Sequence, residues 1–297
     1  MFEGFDKGEV DTGEAQIFFR RAGSGPALLL LHGFPQTHLM WRDVAPRLAQ
    51  DFTVICADLR GYGQSSCPPS AADHAPYAKR AMAGDLVGLM ERLGFARFNV
   101  AGHNRGGRVA YRLALDHPER VDKLAVLDIV PTADAWQRAD DRLALGYWPW
   151  SLLAQPEPLP EKIMATAAEA IVDNALSGWG SSPEAFPKEV RQAYVEALRD
   201  PAHVHAICEE YRAAAGLDRA HDHADREAGR RIACPLLALW SRHGALAEWY
   251  GQEGGPLGLW RNWADTVSGK ATPGGHFFPE ELPGETAAAL DDFFAVK

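Results

Sequence analysis

Five short apolar runs recur along the chain, and each ends near Gly, Asp, Ser or Pro. They are PALLLLHG (26–33), FTVICADLRG (52–61), FNVAGH (98–103), KLAVLDIVP (123–131) and CPLLALWS (234–241). Such runs are typical of strands whose two faces are both buried. Between them, the segments 40–50 and 80–94 place apolar residues at helical spacing. The alternation predicts an α/β fold with a mostly parallel, doubly wound sheet.

The strand pattern stops between about Thr132 and Arg230 and resumes at Ile232. The interrupting stretch contains many alanines and the four tryptophans Trp136, Trp148, Trp150 and Trp179, and it shows no clear strand. We therefore predict a helical cap at 132–230, inserted into an α/β-hydrolase-like core made of 1–131 and 231–297. We expect the cap to cover the carboxyl edge of the sheet.

The composition excludes several classes of function. The net charge of −10 disfavours binding to nucleic acids or anionic membranes. No apolar run approaches the roughly 20 residues that span a bilayer, and the N-terminal stretch lacks the pattern of a secretory signal. The four cysteines are far apart, so we expect them to be reduced, with no disulfide and no metal site. These features predict a cytoplasmic protein.

The stretch GHNRGG (102–107) follows an apolar run and precedes a helical pattern. A glycine–X–nucleophile–X–glycine turn between a strand and a helix strains its tip residue, so the neighbours must lack side chains. The tip here is Asn104, whose amide is a poor nucleophile. Because the turn contains no Ser or Cys, it excludes a serine-type esterase.

Several motifs resemble those of the haloacetate dehalogenases, a group of α/β-hydrolases that includes the fluoroacetate dehalogenases. The stretch GHNRGGR is similar to that family's GHDRGGR, and further matches are HGFPQ (32–36), ADLRGYG (57–63), AVLDIVP (125–131), EYR (210–212) and PGGHFF (273–278). The resemblance implies a capped parallel sheet, hydrolytic removal of a halide from a small haloacid, no cofactor and a homodimer.

Position 104 departs from the family, which has an aspartate there. The exchange replaces one oxygen by NH₂ and leaves the shape of the side chain almost unchanged. We predict that the natural form has an aspartate and that this chain is an inactive variant. A naturally inert homologue is the alternative.

An aspartate nucleophile also needs a base that activates water and an acid that orients the base. His276 follows a Pro-Gly-Gly turn near the end of the chain and is the predicted base. Asp128 ends an apolar strand, where an unpaired carboxylate would be costly, and is the predicted acid. Glu248 is a second choice for that role.

Arg105 and Arg108 are three residues apart in the first turn of the helix that follows the tip. Two guanidinium groups at a helix N-terminus repel each other unless an anion bridges them, which predicts a carboxylate substrate. The alternative is that each arginine pairs with a protein acid, such as Asp128 or one from the cap. Phe34 is expected to contribute its N–H, with that of Arg105, to an oxyanion hole.

A departing halide needs N–H or O–H donors in a dry pocket. The resemblance implies that Trp150 and Tyr211 lie beside the halide, and Tyr147 is a further candidate. Where the family has a histidine, this chain has Pro149, which carries no hydrogen-bond donor. This departure argues against cleavage of a carbon–fluorine bond. Trp179 and Trp148 are either pocket residues or part of the cap core. His32, Asp58 and His103 are interpreted as structural.

Three functions fit these residues. Hydrolysis of haloacetate to glycolate and halide through an aspartyl ester is the first. An epoxide hydrolase would share the aspartate and the histidine and could use Tyr147 and Tyr211 as acids, but a neutral epoxide gives the arginine pair no role. A non-catalytic protein that binds small acids is the third.

Overall fold

The computed structural model describes residues 1–295 and contains one eight-stranded sheet. The strands are β1 (Asp6–Asp11), β2 (Gln16–Ala22), β3 (Ala27–Leu31), β4 (Thr53–Ala57), β5 (Phe98–His103), β6 (Val121–Leu127), β7 (Leu236–Ser241) and β8 (Val267–Thr272). Their order is β1-β2-β4-β3-β5-β6-β7-β8; β3 to β8 are parallel, and β1 and β2 are antiparallel. The predicted α/β fold with a mostly parallel sheet is confirmed.

The five predicted strands are β3 to β7, and the remaining three were not predicted. Every residue of β3, β4 and β5 is buried, which explains their apolar sequences. In contrast, β1 and β8 lie at the two edges of the sheet and are half-exposed, with the polar sequences DKGEVD and VSGKAT. Edge strands carry polar residues on their solvent side, so the apolar-run criterion misses them.

Helices cover both faces of the sheet and fill the interval between β6 and β7. They are α1 (Ala45–Leu48), α2 (Lys79–Arg92), α3 (Asn104–Asp116), α4 (Thr132–Gln137), α5 (Asp141–Gly146), α6 (Pro149–Leu152), α7 (Leu159–Thr166), α8 (Ala168–Gly178), α9 (Lys188–Ala197), α10 (Pro201–Ala215), α11 (Leu217–Glu227), α12 (Ala245–Trp249), α13 (Gly255–Trp260), α14 (Phe278–Glu281) and α15 (Pro283–Phe294). None of the helices in residues 1–295 is long and apolar enough to cross a membrane.

The predicted helix at 40–50 is wrong in its extent. The structure has a 3₁₀ turn at His38–Trp41 and then the four-residue α1. Pro46 lies in the first turn of α1, where its missing N–H is harmless. A single helix through this segment would set the proline ring against the carbonyl of Arg42, so the chain divides there.

The interval 128–235, which the structure describes throughout, contains α4 to α11 and no strand. These eight helices and the loops between them are called the cap below. Trp150 and Tyr211 are both buried cap residues that belong to the same large apolar cluster as α3. The division of the chain into a core of 1–131 and 231–297 and a cap of 132–230 stays a prediction.

The connection from β5 to α3 fixes where chemistry can occur. Asn104 is the first residue of α3 and has a φ of +48°. A Cβ on Gly106 would lie 2.3 Å from the carbonyl oxygen of His32, and one on Gly102 would lie 2.4 Å from that of Gly106. Only glycine therefore lets α3 start this close to β3 and β5.

Replacing Gly106 by alanine tests this close approach. The new methyl group would force the backbone of α3 away from β3, so we expect Gly106→Ala to lower the free energy of unfolding by about 1–3 kcal/mol. Gly84→Ala is the matched control, because Gly84 lies in α2 with no atom near its missing Cβ. That variant should be neutral or more stable. Urea unfolding of both variants measures the difference, and equal stabilities would contradict the steric argument.

Candidate active site

Three strand ends and the loop after β8 bring four predicted residues together. Phe34 follows β3, Asn104 follows β5, Asp128 follows β6, and His276 lies between β8 and α14. Asn104 and Asp128 are both left-handed, with φ values of +48° and +52°. Residues other than glycine keep this costly conformation only where their surroundings impose it, and such positions concentrate at functional sites.

The side chain of Asn104 is held at both of its polar atoms. Its Oδ1 accepts hydrogen bonds from the backbone N–H of Phe34 at 3.2 Å and of Arg105 at 2.7 Å. Its Nδ2 lies 2.9 Å from Nε2 of His276. The two N–H groups have the geometry of an oxyanion hole around the oxygen at position 104.

His276 lies between Asn104 and Asp128. Its Nδ1 is 2.5 Å from Oδ2 of Asp128, whose other oxygen accepts a hydrogen bond from the N–H of Ser241 at 2.8 Å. A carboxylate only accepts hydrogen bonds, so Nδ1 carries the proton and Nε2 presents its lone pair to position 104. The alternative acid, Glu248, is exposed on α12.

Arg105 is paired with an acid from the cap. Its Nε lies 2.8 Å and its Nη2 2.5 Å from Oε1 of Glu210, which also binds Lys79. Burial alone would raise the pKa of Glu210, but Arg105 and Lys79 lower it to about 2. The Nη1 atom of Arg105 is buried and has no hydrogen-bond partner within residues 1–295.

Arg108 differs from Arg105 because none of its partners within residues 1–295 is a carboxylate. Its Nη1 donates to the carbonyl of Val130 at 3.0 Å and to Oγ1 of Thr132 at 3.1 Å. Burial, together with the neighbouring charge of Arg105, lowers the pKa of Arg108 to about 10. At neutral pH its positive charge is therefore present but uncompensated. The alternative reading, in which each arginine pairs with a protein acid, applies within residues 1–295 to Arg105 alone.

The cap places two predicted aromatic residues over these arginines. The ring of Trp150 lies 4.4 Å from the guanidinium of Arg108, and that of Tyr211 lies 4.0 Å from the guanidinium of Arg105. Both rings are nearly fully buried. An aromatic face desolvates a cation without neutralising it, so Trp150 leaves the charge of Arg108 available to a ligand.

The other predicted cap residues have different surroundings. The Tyr147 hydroxyl is 3.4 Å from Nδ1 of His276, and the Trp179 ring is 5.3 Å from the His276 ring. Pro149 is the buried first residue of α6. Trp148 donates its Nε1–H to Asn174 at 2.7 Å, within the cap.

A narrow cavity of about 20 Å³ borders Asn104. Its lining combines residues from the core, the cap and α12: Asn104, Arg108, Asp128, Val130, Ala135, Leu143, Tyr147, Trp150, Leu246, Trp249, Tyr250 and His276. Leu246, Trp249 and Tyr250 were not predicted. Their position directly after the carboxyl end of β7 is the signal that could have identified them.

The three residues interpreted as structural make hydrogen bonds within the core. Nε2 of His32 accepts from the N–H of Leu59 at 3.0 Å, and Asp58 accepts from the N–H of His38 at 2.7 Å. Nε2 of His103 lies 2.8 Å from the carbonyl oxygen of His276. Burial lowers the pKa of His32 and of His103, so both imidazoles are neutral at pH 7.

The contrast between the two arginines predicts opposite effects on stability. Burial lowers the pKa of Arg108 to about 10, so the charged form of this side chain costs folding free energy at neutral pH. We expect Arg108→Met to raise the free energy of unfolding at pH 7 by about 1–3 kcal/mol. Arg105→Met should lower it, because Glu210 would keep only Lys79 as a cationic partner. Urea unfolding measures both variants, and equal destabilisation would contradict the assignment of an uncompensated charge.

Comparisons with known proteins agree with this geometry. A family model described as the alpha/beta hydrolase fold matches residues 26–254. A fluoroacetate dehalogenase from Burkholderia sp is 44% identical over 296 residues, which cover 99% of this chain and 95% of that protein. A soluble epoxide hydrolase from Corynebacterium sp. (strain C12) is 31% identical over 296 residues, or 94% of each chain.

A solved structure from Nostoc sp PCC 7120, described as an alpha/beta hydrolase, superimposes with a TM-score of 0.96 and 46% identity over 100% of both chains. The chain thus belongs to the alpha/beta hydrolases and, within them, to the family of the fluoroacetate dehalogenase from Burkholderia sp.

Proposed function

We propose that the form of this protein with aspartate at position 104 hydrolyses haloacetates to glycolate and halide. The observation that carries the proposal is the uncompensated charge of Arg108 beside position 104. A small carboxylate would neutralise that charge and place its α-carbon next to the nucleophile. The dehalogenase relative, 44% identical over nearly the whole chain, supports the same substrate class.

In the first step, one carboxylate oxygen of the aspartate attacks the α-carbon. The carbon–halogen bond breaks, the halide leaves with the bonding electrons, and an ester joins the aspartate to the substrate. Arg108 and the free Nη1 of Arg105 hold the substrate carboxylate during the attack. The Nδ2 atom of Asn104 marks where the attacking oxygen would lie.

In the second step, water hydrolyses the ester. Nε2 of His276 accepts a proton from water, and Asp128 stabilises the imidazolium that results. The hydroxide adds to the ester carbonyl, and the N–H groups of Phe34 and Arg105 bind the oxyanion. Collapse of the intermediate breaks the bond to the glycolate oxygen, which takes the proton from the His276 imidazolium. The carboxylic acid left at position 104 then loses its proton to solvent, which regenerates the aspartate.

The cap residues determine which halide leaves most easily. Trp150 and Tyr211 are the proposed donors, and Tyr147 is a further candidate. Pro149 offers no donor where the family resemblance implies a histidine. Fluoride depends most on hydrogen bonding, so we propose chloride and bromide as the preferred leaving groups.

Epoxide hydrolysis is the second candidate. The epoxide hydrolase relative supports it, as does the presence of two buried cap tyrosines, Tyr147 and Tyr211. A neutral epoxide, however, would leave the charge of Arg108 uncompensated. The third candidate, a protein that binds small acids without reaction, requires Asn104 to be the natural residue.

Restoring the aspartate tests the proposed reaction. Asn104→Asp should raise the rate of chloride release from chloroacetate by about 10³-fold or more over the chain with Asn104, because an amide is a poor nucleophile. Fluoroacetate should react more slowly than chloroacetate or bromoacetate. Halide release and glycolate formation are the measurements.

The control uses the charge of the substrate. In the Asn104→Asp background, Arg108→Leu should cost about tenfold or more in kcat/KM on chloroacetate and little on neutral chloroacetamide. Binding of chloroacetate without halide release would overturn the assignment of the nucleophile. Conversion of a small epoxide to its diol, with no reaction of haloacetates, would favour the second candidate.

Removing the base should separate the two steps. In the Asn104→Asp background, His276→Asn should release one equivalent of chloride and then stop, because alkylation does not need the base. Mass spectrometry should find the protein heavier by one carboxymethyl group. Steady turnover without this adduct would show that another group activates water.

A further inference from the structure

The loop that carries His276 is hydrogen-bonded to the cap. The backbone N–H of His276 donates to the carbonyl of Trp179 at 3.0 Å. The next N–H, that of Phe277, donates to Oγ of Ser181 at 3.0 Å. Two consecutive peptide groups at the base are therefore held by the cap segment 179–181.

The same segment is packed tightly against the loop. A Cβ on Gly275 would lie 2.2 Å from the carbonyl carbon of Gly180, so the two backbones are in direct contact. The Trp179 ring stacks on the ring of Phe277 with centroids 5.8 Å apart and meets the His276 ring edge-on. A displacement of this cap segment would therefore displace the backbone of the base.

Ser181 connects this contact to the core. Its hydroxyl donates to Oε1 of Glu281 in α14 at 2.5 Å while accepting from the N–H of Phe277. The side chain of Ser181 is buried, and neither Ser181 nor its two hydrogen-bond partners, Phe277 and Glu281, lines the cavity. Ser181 therefore does not touch the proposed substrate and acts through the backbone of the loop.

The nucleophile position is held differently. The oxygen of Asn104 is bound by the N–H groups of Phe34 and Arg105, which both belong to the core. Ester formation depends on these groups and on the arginines, whereas ester hydrolysis depends on the position of His276. The cap contact at Ser181 therefore bears on only one of the two steps.

We propose that Ser181 is a positioning residue for the catalytic base, and that the cap segment 179–181 places His276 for the activation of water. This inference rests on the proposed function for its kinetic consequence. The positioning itself is a property of the chain as it stands, with Asn104 in place, and can be measured without turnover.

The kinetic experiment uses the Asn104→Asp background. Ser181→Ala should leave the rate of the first equivalent of chloride unchanged and slow hydrolysis of the ester by about tenfold, since small misplacements of a catalytic group have effects of this size or larger. The carboxymethyl adduct should then accumulate. Ser182→Ala is the matched control, because Ser182 is the exposed neighbour and its hydroxyl bonds only Glu184 within residues 1–295. Equal slowing of both steps, or of neither, would overturn the proposal.

The second experiment is independent of the reaction. The proton between Nδ1 of His276 and Asp128 should give a low-field resonance in the proton NMR spectrum of the unaltered chain. Ser181→Ala should shift or broaden it, and Ser182→Ala should not. If Asn104→Asp releases no halide, the proposed function fails, and this resonance alone decides whether Ser181 positions the base.

A milder variant covers the case in which Ser181→Ala does not fold. Glu281→Ala removes the acceptor of the Ser181 hydroxyl and leaves the hydroxyl in place. It should change the His276 resonance and the ester hydrolysis in the same direction, by a smaller factor. A resonance and a hydrolysis rate identical to those of the Ser182→Ala control would overturn the proposal.

Discussion

The left-handed backbone at Asn104 is the constraint on which the rest of the site depends. It turns β5 into α3 within one residue and directs the side chain out of the sheet. The turn requires glycine at 102 and 106, because their neighbours are carbonyl groups of β3 and of α3 itself. In return, the N–H groups of Phe34 and Arg105 converge on the side-chain oxygen, and its other atom meets His276. The strained backbone and these hydrogen bonds thus hold the side chain of Asn104 in one orientation.

The two arginines differ in how their charges are compensated. Arg105 is compensated by Glu210, which is itself stabilised as an anion by Arg105 and Lys79. This buried network joins α2, α3 and α10, and within residues 1–295 the Nη1 of Arg105 has no hydrogen-bond partner. Arg108 has neutral partners and an aromatic face, so it holds an uncompensated charge in the protein interior. An uncompensated charge in the interior lowers the stability of the protein, so we expect one where a ligand of opposite charge binds and pairs with it.

The sequence predicts those parts of the structure that are determined by residues close together along the chain. Strands β3 to β7 are apolar because both of their faces are buried, and Gly102 and Gly106 identify the strained turn. Edge strands β1 and β8 have no such local signature, since solvent permits polar residues there. The pairing of Glu210 with Arg105 and the contribution of Tyr250 to the cavity depend on contacts across more than a hundred residues. Such contacts follow from the packing of the cap, which local periodicity does not encode.

The proposed exchange between aspartate and asparagine at position 104 would also change the charge of the site. An aspartate there would accept from Phe34 and Arg105 as the amide oxygen does, and its negative charge would lie close to Arg108. With asparagine, that charge is missing, while Nδ2 donates to Nε2 of His276 and occupies the lone pair that would receive the proton of water. In the proposed mechanism the amide would block the reaction twice, as a poor nucleophile and as a partner of the base. It would also remove the carboxylate that repels an incoming acid, so the proposed function predicts that the chain with Asn104 binds a haloacetate without converting it.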